Sequence, residues 1–509
     1  MDNDEKICYT DLSSTGISAH HARKGEIAMN TKDKLERAAA GLTIDQILKY
    51  IDKNPKQNLV KLINASEKIL GGTFKKSYLD AMRNAVQDET NVYYQYAMNF
   101  LHDVDRQVLK KMLLAMGLGA GYHGTKSVRA NRDIYKCNIP WLILMDPTSA
   151  CNCKCKGCWS AEYGYKQSLT FEEMDSVVNQ GVELGTHLYL FTGGEPLIRK
   201  DDLIKLAENH PDCAFLAFTN GTLVDEKFCD EMKRVGNLTL ALSIEGSRET
   251  TDARRGSGAY DKTVKAMSLL RSRGCLFGMS VCYTRENVET VTSDEFLDDM
   301  IEKGVKFGMY FCYMPVGHDA VVDLIPRPEQ RVHMYKWLRQ IRNSHTGKPI
   351  FVMDFQNDGE YVGGCIAGGR NYFHINSAGD MEPCVFIHYS DSNIRKNTLL
   401  EGLRNPLFTA FRKGQPFNDN HLRPCPMLEN PQYLRKIVGE TGAKSTDLVM
   451  EETAEHLCSK CDKFAAEWKP VAEDLWKNNK HPNPMTQYYR DTPEGKAEAA
   501  AKAKAENKQ

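Results

Sequence analysis

At 509 residues the chain is too long for one ordinary core, and about two or three domains are expected. Its 66 Lys and Arg against 67 Asp and Glu leave a formal net charge of -1, which excludes the basic excess of a general nucleic-acid binder. No apolar stretch approaches membrane-spanning length and the start, Met1-Asp-Asn-Asp-Glu-Lys6, lacks a secretory pattern, so a cytoplasmic protein with no transmembrane segment is expected.

Residues 1 to about 41 are polar with weak periodicity and read as a mobile leader, within which Met29 offers a second start. Thr43-Ile-Asp-Gln46 fits a helix capping box, after which Ile44, Ile47, Leu48 and Ile51 share one face until Asn54-Pro55. Amphipathic stretches at 59–70, 74–86 and 92–116 complete a helical domain over 42–125, suited to packing, dimerisation or substrate cover. Gly117, Gly119, Gly121 and Gly124 predict a flexible, close-packing connection.

From Pro140 the period changes to strand–helix alternation, the mark of parallel βα units. Strands are expected near 141–145, 187–192, 214–219, 238–243, 276–283 and 307–313. Helices are expected near 170–184, 201–209, 225–234, 260–273, 293–303 and 328–343. The fold class is therefore α/β.

The first strand runs into Asp146-Pro-Thr-Ser-Ala-Cys151-Asn-Cys-Lys-Cys155-Lys-Gly-Cys158-Trp159. Cys151, Cys155 and Cys158 stand in C-x3-C-x2-C spacing, with Cys153 off that pattern. Sixteen cysteines in such a chain argue for metal rather than disulfides. A four-iron cluster normally takes four thiolates, so three leave one iron open to another ligand. A zinc knot or a group of buried thiols is the bland alternative.

The second strand ends Thr192-Gly193-Gly194-Glu195-Pro196, the third reaches Asn220-Gly221, and the fourth ends Ser243-Ile-Glu245-Gly246. Further on lies Asp252-Ala-Arg254-Arg255-Gly256. With the cysteine spacing, these residues make the chain resemble the radical S-adenosylmethionine (radical SAM) enzymes. That resemblance implies a partial (β/α)6 TIM-like barrel at about 138–345, with its working groups at the carboxyl ends of the strands. It implies a 4Fe–4S cluster on Cys151, Cys155 and Cys158, whose open iron takes the methionine end of S-adenosylmethionine. One electron then releases a 5′-deoxyadenosyl radical that abstracts hydrogen from a substrate. By the same resemblance Gly193, Gly194, Glu195 and Pro196 hold the methionine ammonium, with Thr192 beside them among the cofactor-binding residues. Asn220 and Ser243 line the nucleoside and methionine pocket, and Arg255 pairs with the cofactor carboxylate. Each has a plainer reading as a turn, a strand end or a surface arginine.

Past the barrel, Cys365, Gly379 and Cys384 fit C-x13-G-x4-C, with 372–383 reading as a hairpin. Cys425 and the pair Cys458-Ser-Lys-Cys461 follow. This region resembles a SPASM or twitch extension over 346–480, which implies an auxiliary 4Fe–4S cluster. The expected ligands are Cys365, Cys384, Cys458 and Cys461, with Cys425 as a fifth candidate. Five cysteines fall short of the roughly seven of a full SPASM domain, and structural zinc is the competing occupant. Residues 462–478 read as an amphipathic helix and 481–509 as a polar tail.

The expected function is a radical SAM oxidoreductase or transferase. It would be fed by a reductant such as ferredoxin or flavodoxin and act on a peptide, tetrapyrrole, lipid or small metabolite. A non-catalytic iron–sulfur or zinc scaffold, and an RNA-modifying radical enzyme, are the alternatives; the balanced charge disfavours nucleic acid.

Overall fold

A computed structural model describes residues 31–70, 76–318, 320–482, 486 and 488–506; residues 1–30 of the expected leader, Met29 included, lie outside them. Helix α1 spans Thr31–Tyr50, so it begins well before the proposed capping box. Thr43 instead sits mid-helix, its hydroxyl donating to Ala39 O. A helix already propagating through Ala38-Ala39-Ala40 needs no new nucleus at Thr43.

Helices α2 (Pro55–Leu70), α3 (Lys76–Gln87), α4 (Val92–Asp103) and α5 (Arg106–Met112) follow. The long helix expected over 92–116 is broken because Asp105 turns its carboxylate to cap Gln107 N. The glycine run beyond it is not a flexible connection. Leu113–Gly124 stays helical with widened turns and leads into α6 (Thr125–Tyr135). Its glycines do pack closely: a Cβ at Gly119 would lie 2.1 Å from Asp212 O, and one at Gly124 2.7 Å from Gly185 O. Trp141 Nε1 also donates to Ala120 O at 3.1 Å.

Nine strands form one sheet: β1 (Leu142–Met145), β2 (Leu188–Phe191), β3 (Ala214–Thr219), β4 (Leu238–Ser243), β5 (Phe277–Tyr283), β6 (Phe307–Cys312), β7 (Phe351–Asp354), β8 (Tyr372–Ile375) and β9 (Met381–Glu382). Their order is β7-β6-β5-β4-β3-β2-β1-β8-β9. Every neighbouring pair is parallel except the hairpin β8–β9. This is an α/β partial barrel, open between β7 and β9. The first six strands lie where the alternation predicts them. The sheet also runs past residue 345, since β7 and β8 belong to it.

Local chemistry explains the periodic units. Thr170 and Glu173 form a reciprocal cap on helix Phe171–Leu184, and Gly185, at φ 102°, ends it. Asp225 caps helix Glu226–Val235, which stops at Gly236. The strands read as near-continuous apolar runs because helices and the C-terminal region cover both faces; all six residues of β4 are buried. Fully burying each such Leu or Phe contributes about 1.5–3 kcal/mol. Among the described residues, no helix is long and apolar enough to cross a membrane.

Candidate active site at the strand ends

The loop after β1 and the turn after β2 are zipped together by main-chain bonds. Thr192 N donates to Met145 O (2.9 Å), Gly194 N to Thr148 O (2.9 Å) and Glu195 N to Ala150 O (2.8 Å). The approach is close enough to require glycine. A Cβ on Gly194 would stand 2.1 Å from Ala150 O, and one on Gly193, already at φ 97°, would stand 2.8 Å from Asp146 Cβ. Gly194→Ala is therefore expected to lower stability by about 1–3 kcal/mol, read as a lower denaturant midpoint, because rigid backbone must move to admit the methyl group.

Cys151, Cys155 and Cys158 line one cavity of about 170 Å³ with Thr192, Gly193, Gly194, Glu195, Asn220, Ser243 and Arg255. Pro196 opens the helical turn Pro196–Arg199 behind Glu195 and is absent from the lining. Cys153, off the spacing pattern, also faces this cavity; Asn220 Nδ2 donates to its Sγ at 3.4 Å. A hydrogen bond from Cys151, helped by Arg255, lowers the Cys153 thiol, whereas burial raises Cys155.

The Glu195 carboxylate is turned into the protein. Oε1 accepts from Thr219 Oγ1 (2.6 Å) and Leu197 N (2.9 Å), and Oε2 accepts from Asn220 N (2.9 Å). It thus locks the β2 turn to the end of β3. Burial still outweighs these bonds and raises it to about 7. Glu245, after β4, plays a similar part that its sequence position did not reveal. It is fully buried, and Oε1 accepts from Arg254 Nη1 and Arg255 Nε, each at 2.7 Å. Oε2 accepts from Cys282 N at 3.0 Å. So Arg255 reaches the cavity already paired, with Nη1 4.0 Å from Cys155 Sγ.

A second, smaller cavity of about 50 Å³ brings together Cys365, Cys384 and Cys425. Burial raises Cys365 to about 11 and Cys384 to about 12, and Tyr372 Oη lies 2.7 Å from Cys384 Sγ. Cys458 and Cys461 are buried on helix Ala454–Asn478 and are not in that lining. Met314 and Phe386 line both cavities and form a shared wall. Among the described residues, no three His, Cys, Asp or Glu side chains are close enough to hold a single metal ion.

Behind the cysteine loop, His374 of β8 sits between two carboxylates with no solvent access. Nδ1 is 2.6 Å from Glu382 Oε2, and Nε2 is 2.9 Å from Asp146 Oδ1. Burial opposes its protonation, but Asp146 and Glu382 outweigh that and raise it to about 10. Tyr163 Oη donates to the same Glu382 oxygen at 2.7 Å, and Trp159 packs edge-on to His374 at 5.8 Å.

The radical SAM superfamily model matches residues 145–297, which run from the last residue of β1 through β5 and include the cavity residues from Cys151 to Cys282. Residues 145–297 of the chain are thus a radical SAM domain. The chain is 28% identical to the Fe-coproporphyrin III synthase of Methanosarcina barkeri over 232 residues, 43% of this chain and 57% of that protein. It is 24% identical to an AdoMet-dependent heme synthase of Nitratidesulfovibrio vulgaris over 376 residues, 68% of this chain and 97% of the relative. Streptococcus suis SuiB, solved with S-adenosylmethionine, aligns with a TM-score of 0.48 at 17% identity, covering 59% of this chain and 76% of that one.

A radical SAM domain works with a 4Fe–4S cluster and S-adenosylmethionine, and the enzymatic character of the chain rests on that domain. The residues present fit both groups. Three soft sulfur donors share a wall with glycine backbone, and Arg254 and Arg255 supply positive charge beside thiolates.

Proposed function

We propose that Cys151, Cys155 and Cys158 hold the radical SAM cluster, and that Thr192–Glu195, Asn220, Ser243 and Arg255 bind S-adenosylmethionine beside it. The observation that carries this reading is the convergence of these side chains, from five separate loops and strand ends, on one cavity at the carboxyl ends of parallel strands. When bound, the two groups supply a 5′-deoxyadenosyl radical able to take hydrogen from an unactivated C–H bond.

The protein's own contribution is placement and exclusion. Glu195 fixes the glycine turn against the end of β3, and Glu245 orients Arg255 toward Cys155. Phe218, Phe311 and Phe386 line the cavity and keep water from it. Cys365, Cys384 and Cys425 form the core of an auxiliary 4Fe–4S site, with Cys458 and Cys461 the further candidates. Met314 and Phe386 lie between the two sites, a separation of one side-chain layer suited to passing an electron.

The relatives named for Fe-coproporphyrin III and heme make a tetrapyrrole the first substrate class to offer, ahead of a peptide or another metabolite. The test is anaerobic incubation of the reconstituted protein with dithionite and S-adenosylmethionine, with and without Fe-coproporphyrin III. Formation of 5′-deoxyadenosine supports the enzymatic reading, and its acceleration by the porphyrin supports the substrate class. No 5′-deoxyadenosine from iron-replete protein would defeat the first. An unaltered rate would defeat the second.

A further inference from the structure

On the far side of the Cys365 loop is a cavity of about 530 Å³ that shares no lining residue with the cofactor cavity. Arg129, Arg132, Arg370 and Arg412 converge on it, flanked by Tyr488 and Tyr489, and Asp133 is its one acidic lining residue. Among the described residues none of the four guanidinium groups has a carboxylate within ion-pair distance.

Two of the four are held deep by main-chain oxygens alone. Arg132 Nε and Nη2 donate to Ile139 O at 2.9 and 2.7 Å, and Nη2 also donates to Arg370 O. Arg370 donates to Cys365 O (2.7 Å), Val362 O (3.0 Å) and Gly364 O (2.9 Å). Carbonyl dipoles satisfy N–H groups without cancelling net charge, and buried charge is costly unless an opposite charge accompanies it. Burial accordingly lowers Arg132 to about 10, with Arg370 and Arg129 adding repulsion. Arg129 and Arg412 complete the cluster from its more open side, and the Arg412 guanidinium lies 4.8 Å from the Tyr489 ring centroid.

We propose that this cavity binds a multiply charged oxyanion, its carboxylate or phosphate oxygens received by the guanidinium forks of Arg129, Arg132 and Arg412. Planar five-donor guanidinium groups match such oxygens in pairs, and several together select for more than one negative charge. The ligand would bridge α6, the 361–371 loop, helix Pro406–Gly414 and the residues Thr486, Tyr488, Tyr489 and Thr492, since all of these contribute to the lining. Val362 lines both this cavity and that of Cys365, Cys384 and Cys425, so the anion sits back to back with that site.

The experiment is titration of the full-length, anaerobically prepared protein with pyrophosphate and, separately, with citrate, by calorimetry and by thermal unfolding. Saturable binding of either anion with a rise in Tm is expected; pyrophosphate alone marks a phosphate ligand and citrate alone a polycarboxylate. Arg129→Gln and Arg412→Gln are the informative variants, because neither side chain makes a hydrogen bond or ion pair within the described residues. Each should raise Kd at least about tenfold, the scale of one lost charge-assisted hydrogen-bonded contact, while the variant remains folded, read as a cooperative unfolding transition in the absence of anion. Binding of neither anion by wild type, or equal binding by the variants, would overturn the proposal.

Discussion

Cys155→Ala is expected to reduce 5′-deoxyadenosine formation to the background of protein without cluster. Cys155 lies at the centre of the C-x3-C-x2-C loop and lines the cavity beside Arg255, which is 4.0 Å from its sulfur. On the proposed assignment, the first cluster would keep only two of its three thiolate ligands. The measurement that separates this from general damage is iron content. If the second cysteine set also carries a four-iron cluster, wild type should hold about eight irons per chain, falling to about four in the Cys151, Cys155 and Cys158 triple alanine variant. Cleavage at the wild-type rate in Cys155→Ala would remove the basis of the active-site reading.

His374→Leu is expected to destabilise the protein by about 3–5 kcal/mol near neutral pH, because it leaves two buried carboxylates facing an apolar side chain. Asp146 precedes the cysteine loop and Glu382 closes the β8–β9 hairpin, so the loss falls on the frame behind the active site. The effect carries a pH signature. His374 is raised from 6.5 to about 10, so its contribution is fully present below about 6.5 and is lost as the pH rises through about 10. Wild type should therefore weaken across that window in denaturant titrations, while His374→Leu loses this component of the slope. Equal slopes in the two proteins would show that the imidazole is neutral in the native state.

Much of the barrel was legible in the sequence, for physical reasons. Runs such as Leu142–Met145 and Leu238–Ser243 are too short and too apolar for surface helices, and Thr170, Asp225 and Gly236 mark helix ends by chemistry that acts locally. The cavity residues were found through the resemblance to the radical SAM enzymes, carried by the cysteine spacing and the Gly193-Gly194-Glu195-Pro196 turn together, since each alone has a plainer reading. What escaped were relations between distant segments. Nothing local in Tyr372–Ile375 says that it pairs with β1, or that His374 meets Asp146 from 228 positions away (374 − 146). Glu245 receives no role of its own from the sequence, because Arg254, Arg255 and Cys282 N gather on it only in the fold. The split of the 92–116 helix at Asp105 was visible in principle, as an acidic N-cap, but the apolar period runs across it and masks the break.

The place of β8 changes what the C-terminal region can be. By pairing in register with Leu142–Met145, it gives the strand that leads into the cysteine loop its outer neighbour. A chain cut at residue 345 would leave that strand as a bare rim, its unpaired N–H and C=O groups open to water or to another molecule's strand. The shortened protein should therefore associate or lose iron from the loop itself, even though every residue of that loop is still present. The last third of the chain is accordingly a stave of the vessel, and not a module that can be lifted away to leave a working core.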